Sequence, residues 1–179
     1  MRIRSRTTLQ WLPCILIVML LGCRPEYQVG QQTADQARLP QIDNLDDYLV
    51  TSLGINSRGG QVFCACEPLL AGESIGSSLY LWVLCEEYYV EQGELESGSG
   101  LSLPVELQLA EDDGQPRIIG HRVPRDGAYY GPDVRDLFPR SCWREIMPQS
   151  RLGRERYNQR ASRLAETCEQ QAETHLQVD

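Results

Sequence analysis

SLYLWVLCEEYYVE, residues 78–91, and LSLPVELQLA, residues 101–110, are the stretches whose reading decides the fold. The first half of 78–91 is apolar at both parities, the pattern of a strand covered on both sides, and Glu86 and Glu87 mark where a side or the end of it reaches water. In 101–110, Leu103, Val105, Leu107 and Leu109 alternate with Pro104, Glu106 and Gln108, giving one buried face and one wet face. Pro104 points to an edge or a bulge there, because proline has no N–H to give a ladder. Working outward, Gln61–Leu70 is a further strand, joined to the first by a glycine- and serine-rich connection, residues 71–77. Gln92–Gly100, with three glycines, reads as a solvent-facing loop. Asp113-Gly114 then turns the chain into a strand over Arg117–Val123, since Asp-Gly adopts the positive φ values of a tight hairpin. The expected sheet is a four-stranded antiparallel meander.

Helices flank it. Ile42, Leu45, Leu49 and Val50 recur at helical spacing, with Asp43, Asp46 and Asp47 near the positive end and Gly54 as a stop. Beyond the turn at residues 124–127, residues 133–138 form a helical turn ended by Pro139, and Cys142–Met147 a second before Pro148. Ser150 caps a longer helix in which Tyr157, Ala161, Leu164, Cys168 and Ala172 sit three or four apart on one stripe. A short N-terminal helix, a meander and C-terminal helices make an α+β sandwich of two layers, similar at the level of fold to cystatin-like domains, a likeness that carries no function.

The N-terminal part has a separate logic. Arg2, Arg4 and Arg6 precede an apolar run from Trp11 to Leu21, the order of an export signal. That run is well short of the roughly 20 residues needed to span a bilayer. It ends in Leu20-Leu21-Gly22-Cys23, which resembles the lipobox of bacterial lipoproteins, and no small-x-small cleavage site competes with it. The resemblance implies that signal peptidase II cuts before Cys23, and that Cys23 carries a diacylglyceryl group. Residues 1–22 are then a signal peptide, 23–40 a Gln-rich flexible tether and 41–179 one α+β domain. Several acyl chains on one cysteine hold a protein to a membrane durably. Arg24, rather than Asp, follows the cysteine, which favours the outer membrane in a two-membrane cell.

Charge narrows the partners. Without the three N-terminal arginines, 14 basic side chains, all arginine, face 25 acidic ones, a formal −11 that disfavours nucleic acid. The distribution is uneven, with eleven arginines and five acids between Arg117 and Arg163. This basic third either neutralises the acidic remainder within the fold, the plainer expectation, or offers an arginine-rich surface to lipid headgroups or an acidic partner.

Besides Cys14 in the signal and Cys23, five cysteines remain: Cys64, Cys66, Cys85, Cys142 and Cys168. In an exported compartment they are expected to pair, with at least one left over. Cys64 and Cys66 share a strand face on which Cys85 is a partner for one of them, and Cys142 with Cys168 is the second expected pair. A sharper alternative makes Cys64-Ala65-Cys66 a redox pair or, with Cys85 and His121, a soft-metal site. The Cys-x-Cys spacing and the distant histidine speak against it. His121 shares a strand face with Ile119 and Val123 and reads as a core-edge residue. There is no Gly-x-Ser-x-Gly elbow or phosphate-binding glycine loop, and Glu86, Glu87, Asp112 and Asp113 are adjacent pairs rather than converging carboxyls. Tyr88, Tyr89, Tyr129, Tyr130, Trp82 and Trp143 are candidates for an aromatic surface, or for ordinary packing.

YLWVLCEEYY, SGxSLPV and VPRDGxYYGxDxRxLFP, spread over Phe63–Pro139, resemble a family of uncharacterised bacterial secreted or lipid-anchored proteins. That resemblance implies a fold and a compartment, and no activity, cofactor or catalytic residue. The expected function is a membrane-tethered cell-envelope lipoprotein with a non-catalytic binding or structural role and an envelope protein as partner. The alternative is a cysteine-dependent redox or metal-handling lipoprotein.

Overall fold

A computed structural model describes residues 41–53, 55, 57, 59–69 and 77–177. The expected signal peptide, the Leu20-Leu21-Gly22-Cys23 motif and the tether lie outside the described residues, as does Gly54.

At the centre stand β2 (Ser78–Glu91) and β3 (Glu94–Asp112), one long antiparallel hairpin. Its turn is Gln92-Gly93 alone, with φ of 56° and 90°. Two successive positive φ values give a two-residue turn the twist of the strands it joins. The expected loop over Gln92–Gly100 is therefore corrected, because β3 starts at Glu94 and its glycines are strand residues. One of them has a packing reason: a Cβ on Gly98 would lie 2.8 Å from Glu87 Oε2. β1 (Gln61–Pro68) pairs with β2, and β4 (Gln115–Arg122) pairs with β3, so the order is β1-β2-β3-β4, the expected meander. Asp113-Gly114 turns β3 into β4 with φ of 50° and 78°. Pro104 is buried opposite Trp82, beyond the end of β4, so β3 is locally an edge where the missing N–H costs no ladder bond.

The two parities of β2 feed two cores. Tyr80, Trp82 and Tyr88 join Phe63 and Ala65 of β1 beneath the C-terminal helices. Leu79, Leu81, Val83 and Cys85 join Cys64, Val105, Leu107 and Leu109 beneath α1 (Leu45–Ser52), whose Leu49 is fully buried. The sheet is thus covered on both faces, and the expected two layers become three, because α1 and the C-terminal helices pack on opposite sides. The class stands as α+β.

After a 3₁₀ turn at Gly127–Tyr129 come α2 (Tyr130–Leu137), ending before Pro139, and α3 (Trp143–Ile146). The Arg125 guanidinium makes two hydrogen bonds of 2.8 Å to Asp133 and lies 4.3 Å from the Tyr129 ring centroid, which fixes the approach to α2. α4 (Arg151–Leu176) begins as expected, with Ser150 Oγ accepting from Gly153 N at 3.0 Å. Its 26 residues run about 39 Å. The expected stripe faces inward, with Leu164, Cys168 and Ala172 buried.

Parity also corrects β4. A register shift beside Leu109 pairs it with Ile118 and leaves Ile119 as the extra residue, 57% exposed. Ile118, rather than Ile119, therefore packs on the core face with His121. A bulge moves every side chain beyond it to the other parity, which an alternation count does not register.

Candidate anion-binding cleft

Cys64 and Cys85 are direct cross-strand partners and form a disulfide with Cα atoms 4.0 Å apart. The expected Cys142–Cys168 bond is not formed, and both are free and buried, as Cys66 is free and half-buried. Geometry explains it. On α4, Arg160 is the residue that meets α3, and Cys168 lies eight residues, about 12 Å, farther along the helix. The Cys168 thiol points instead at the carbonyls of Phe63 and Leu84, at 3.6 and 3.7 Å.

Burial pushes all three free thiols up to about 12, with Asp46 and Glu67 adding to the effect at Cys66, Glu145 at Cys142 and Glu86 at Cys168. A thiol held protonated is a poor nucleophile and a poor metal ligand. Of the imagined soft-metal set, Cys64 and Cys85 are bonded to each other, and His121 is engaged with α1, its Nδ1 3.0 Å from Tyr48 Oη. Among the described residues no group of three or more His, Cys, Asp or Glu is placed to hold a metal ion.

The paired carboxylates part company as strand neighbours must. Glu87, expected near water, is 1% exposed. Its Oε1 accepts from Ser57 Oγ at 2.9 Å and from Gly60 N at 2.8 Å, and Oε2 accepts from Ser99 N at 3.2 Å. Glu106 is buried as well, accepting from Arg122 Nε and Nη2 at 2.7 and 2.9 Å and from Ser78 Oγ at 2.9 Å. Both are structural pins. The aromatic candidates do not assemble into one surface: Trp82 and Tyr88 are core, Tyr129 underlies Arg125, and Trp143 is half-buried at the margin of the core that holds Trp82.

Trp143 leads to the arginines. Its indole N–H donates to Phe138 O at 2.9 Å, and with Tyr157 it walls an open cleft of about 850 Å³ between α3 and the first turns of α4. Five arginines line that cleft: Arg135 from α2, Arg144 from α3, and Arg156, Arg160 and Arg163 from α4. The last three are spaced four and three residues apart, so one helix face presents them together. Part of this stripe meets acids, Glu67 of β1 and Glu145 of α3. Arg163 is bidentate to Glu67 at 2.8 Å through each nitrogen, and Arg160 binds Glu145 and lies 3.5 Å from Glu67. Burial raises the Glu67 carboxyl, but hydrogen bonds and charge from Arg163 and Arg160 outweigh it and hold Glu67 below its ordinary value.

Arg135, Arg144 and Arg156 are exposed and pair with no carboxylate among the described residues. The cleft therefore sets five guanidinium groups against two carboxylates, beside the positive end of a long helix. Such a site attracts anions. The sequence flagged the arginine-rich third, and the structure divides it: Arg117, Arg122, Arg125, Arg151, Arg160 and Arg163 have acidic partners, so most of it is internal neutralisation. Arg135, Arg140, Arg144, Arg154 and Arg156 have no acidic partner among the described residues; three of the five line the cleft, and no local signal in the sequence marks them. Comparison with known proteins finds no family model, no curated sequence and no solved structure that matches the chain.

Proposed function

We propose that the chain is a bacterial cell-envelope lipoprotein, anchored to a membrane through a lipid on Cys23, whose domain has a non-catalytic binding role served by the arginine-lined cleft. The Cys64–Cys85 disulfide is the observation that carries this reading. Such bonds persist in oxidising compartments outside the cytosol, and here one accompanies an arginine-led apolar run ending in Leu20-Leu21-Gly22-Cys23. With the anchor supplying attachment, the domain is free to use its surface for a ligand or an envelope partner. Arg24 after the cysteine favours the outer membrane of a two-membrane cell.

The test is the mass of the mature N-terminus after expression of the whole chain in a bacterium. The expected product starts at Cys23, carries a diacylglyceryl group and sediments with membranes, while Cys23→Ser carries no lipid and keeps residues 1–22, because no other cleavage site is present. A precursor of the unaltered chain that keeps residues 1–22 with an unmodified Cys23, or a Cys23→Ser chain still cut between residues 22 and 23, overturns the reading.

A further inference from the structure

We propose that the cleft between α3 and the start of α4 binds a phosphate-bearing ligand, with Arg135, Arg144 and Arg156 gripping the phosphate and Trp143 and Tyr157 contacting the group it is attached to. This deepens the binding role proposed above and rests on it.

The first argument is charge. In a chain with 25 acids and 17 basic residues, the cleft gathers three arginines from three helices with no acid among the described residues to pair them. Like charges lining one cleft repel, and an anion between them removes that cost. The second argument is geometry. A guanidinium is a planar fork that donates two parallel N–H groups, and a phosphate offers three or more oxygen acceptors on several sides, whereas a carboxylate offers two oxygens in one plane. Glu67 shows the carboxylate case within the same stripe, where Arg163 engages both of its oxygens at 2.8 Å and Arg160, from the same helix, lies 3.5 Å from one of them. Forks arriving from three helices suit the phosphate.

The surroundings agree. Ser150 and Gly153, in the first turn of α4, line the cleft, and the helix dipole there adds to the attraction for negative charge. Trp143 is fixed by its bond to Phe138 O, with Arg140 5.6 Å from the indole centroid, and Tyr157 is held edge-on by Trp82 at 5.1 Å. Two aromatic walls already in position present an apolar face beside the arginines. The volume, about 850 Å³, falls in the range of roughly 300–1,000 Å³ typical of small-molecule sites. An anionic lipid headgroup and a free phosphate ester share this chemistry.

The experiment titrates the full chain, purified in a non-ionic detergent, with inorganic pyrophosphate and separately with a short-chain phosphatidylglycerol, read by calorimetry. Saturable binding that weakens with added salt is expected for at least one probe. Arg144→Gln and Arg156→Gln are each expected to weaken it about tenfold or more. Arg117→Gln, which removes the same charge on β4, is the control and is expected to bind as the unaltered chain does. Tighter binding of the lipid identifies a headgroup, and equal or tighter binding of pyrophosphate identifies a free phosphate. No saturation with either probe overturns the proposal, as does equal loss in Arg117→Gln and the cleft variants, since that reports only overall charge. The mass of Cys23 in the same preparation keeps the two readings apart. A lipidated chain that binds neither probe refutes the phosphate alone, and an unlipidated chain that binds refutes the anchor alone.

Discussion

The two faces of the sheet are held by different means. On the α1 face, aliphatic side chains pack around the Cys64–Cys85 bond, and Glu87 ties β2 to the backbone at Gly60 and Ser99. On the α4 face, aromatic rings, buried thiols and ion pairs take that place, and the packing opens at its margin into the arginine cleft. A covalent bond and an aliphatic core leave α1 little to do beyond covering. Polar and aromatic contacts let the other face remain folded while it presents charge. The lesson is that one strand, β2, supplies stability to both sides through its two parities, and only one side also carries a surface fit for recognition.

The harshest way to break this comparison is Trp82→Ala. Trp82 is 3% exposed, packs edge-on against Tyr157 at 5.1 Å and donates from its indole to Ser102 Oγ at 2.8 Å. Its loss is expected to cost about 3 to 5 kcal/mol in denaturant unfolding and to loosen the Tyr157 wall of the cleft. Retained stability would show that the α4 face is less dependent on its aromatic core than the packing implies.

The matching blow to the α1 face is Cys64→Ala with Cys85→Ala. The bond links residues 21 apart, and closing a loop of that size stabilises by about 3 kcal/mol. A double variant that unfolds at the same urea midpoint as the oxidised parent would remove the covalent half of the contrast. Binding by the cleft should survive, because it lies on the other side of the sheet.

Glu87→Gln sharpens the contrast further. Each carboxylate oxygen accepts a backbone N–H, from Gly60 to Oε1 and from Ser99 to Oε2, and an amide has only one oxygen to offer. One N–H must then face an NH₂ group, at an expected cost of about 1 to 3 kcal/mol. Unchanged stability in thermal and urea unfolding would mean that the neighbouring hydroxyls and backbone rearrange to replace the lost acceptor.

Glu87 also shows what was legible beforehand. Its place on a strand was plain from SLYLWVLCEEYYVE, and the alternation of Leu103 to Leu109 gave β3 its inner face. Its burial was not legible, because its partners Ser57, Gly60 and Ser99 come from separate parts of the chain and glycine at 98 reads equally well as a loop. A bond from Cys85 to Cys64 or Cys66 followed from neighbouring strands, and the choice of Cys64 depended on the register, which the sequence leaves free. Separation of Cys142 from Cys168 depended on which residue of α4 meets α3, a matter of helix offset that periodicity leaves free. The arginine run was visible as composition, whereas its unpaired members are defined only by where its acidic partners fall.

A smaller effect separates the faces by pH. Hydrogen bonds from the Arg125 side chain and backbone hold the Asp133 carboxyl at about 2, against an ordinary 3.8. A carboxyl with a depressed value contributes its full stabilisation above the unfolded value, so the contribution is complete above about pH 4 and is lost as the pH falls toward 2. In unfolding measured between pH 5 and 2, Asp133→Asn should flatten part of the decline and leave the pH 7 stability slightly lower. An unaltered acid profile would mean that this clamp contributes nothing to acid sensitivity.

The smallest expected change is the one on which the cleft depends. Arg160, 14% exposed at its side chain, holds Glu145 and neighbours Glu67, and Arg160→Gln is expected to cost about 1 to 3 kcal/mol because it strips partners from half-buried carboxylates. Arg144 and Arg156 share the same cleft without a carboxylate partner among the described residues, so Arg144→Gln and Arg156→Gln should shift stability by less than about 0.5 kcal/mol. Any shift should be toward higher stability, since removing one of several clustered positive charges relieves repulsion. Urea midpoints of the three variants decide it. If Arg144→Gln and Arg156→Gln weaken the fold as Arg160→Gln does, these arginines are framework and the cleft holds no charge in reserve for a ligand. If they leave the fold untouched and abolish phosphate binding, the same cleft serves both purposes, with the division set by which of its arginines meet Glu67 of β1 and Glu145 of α3.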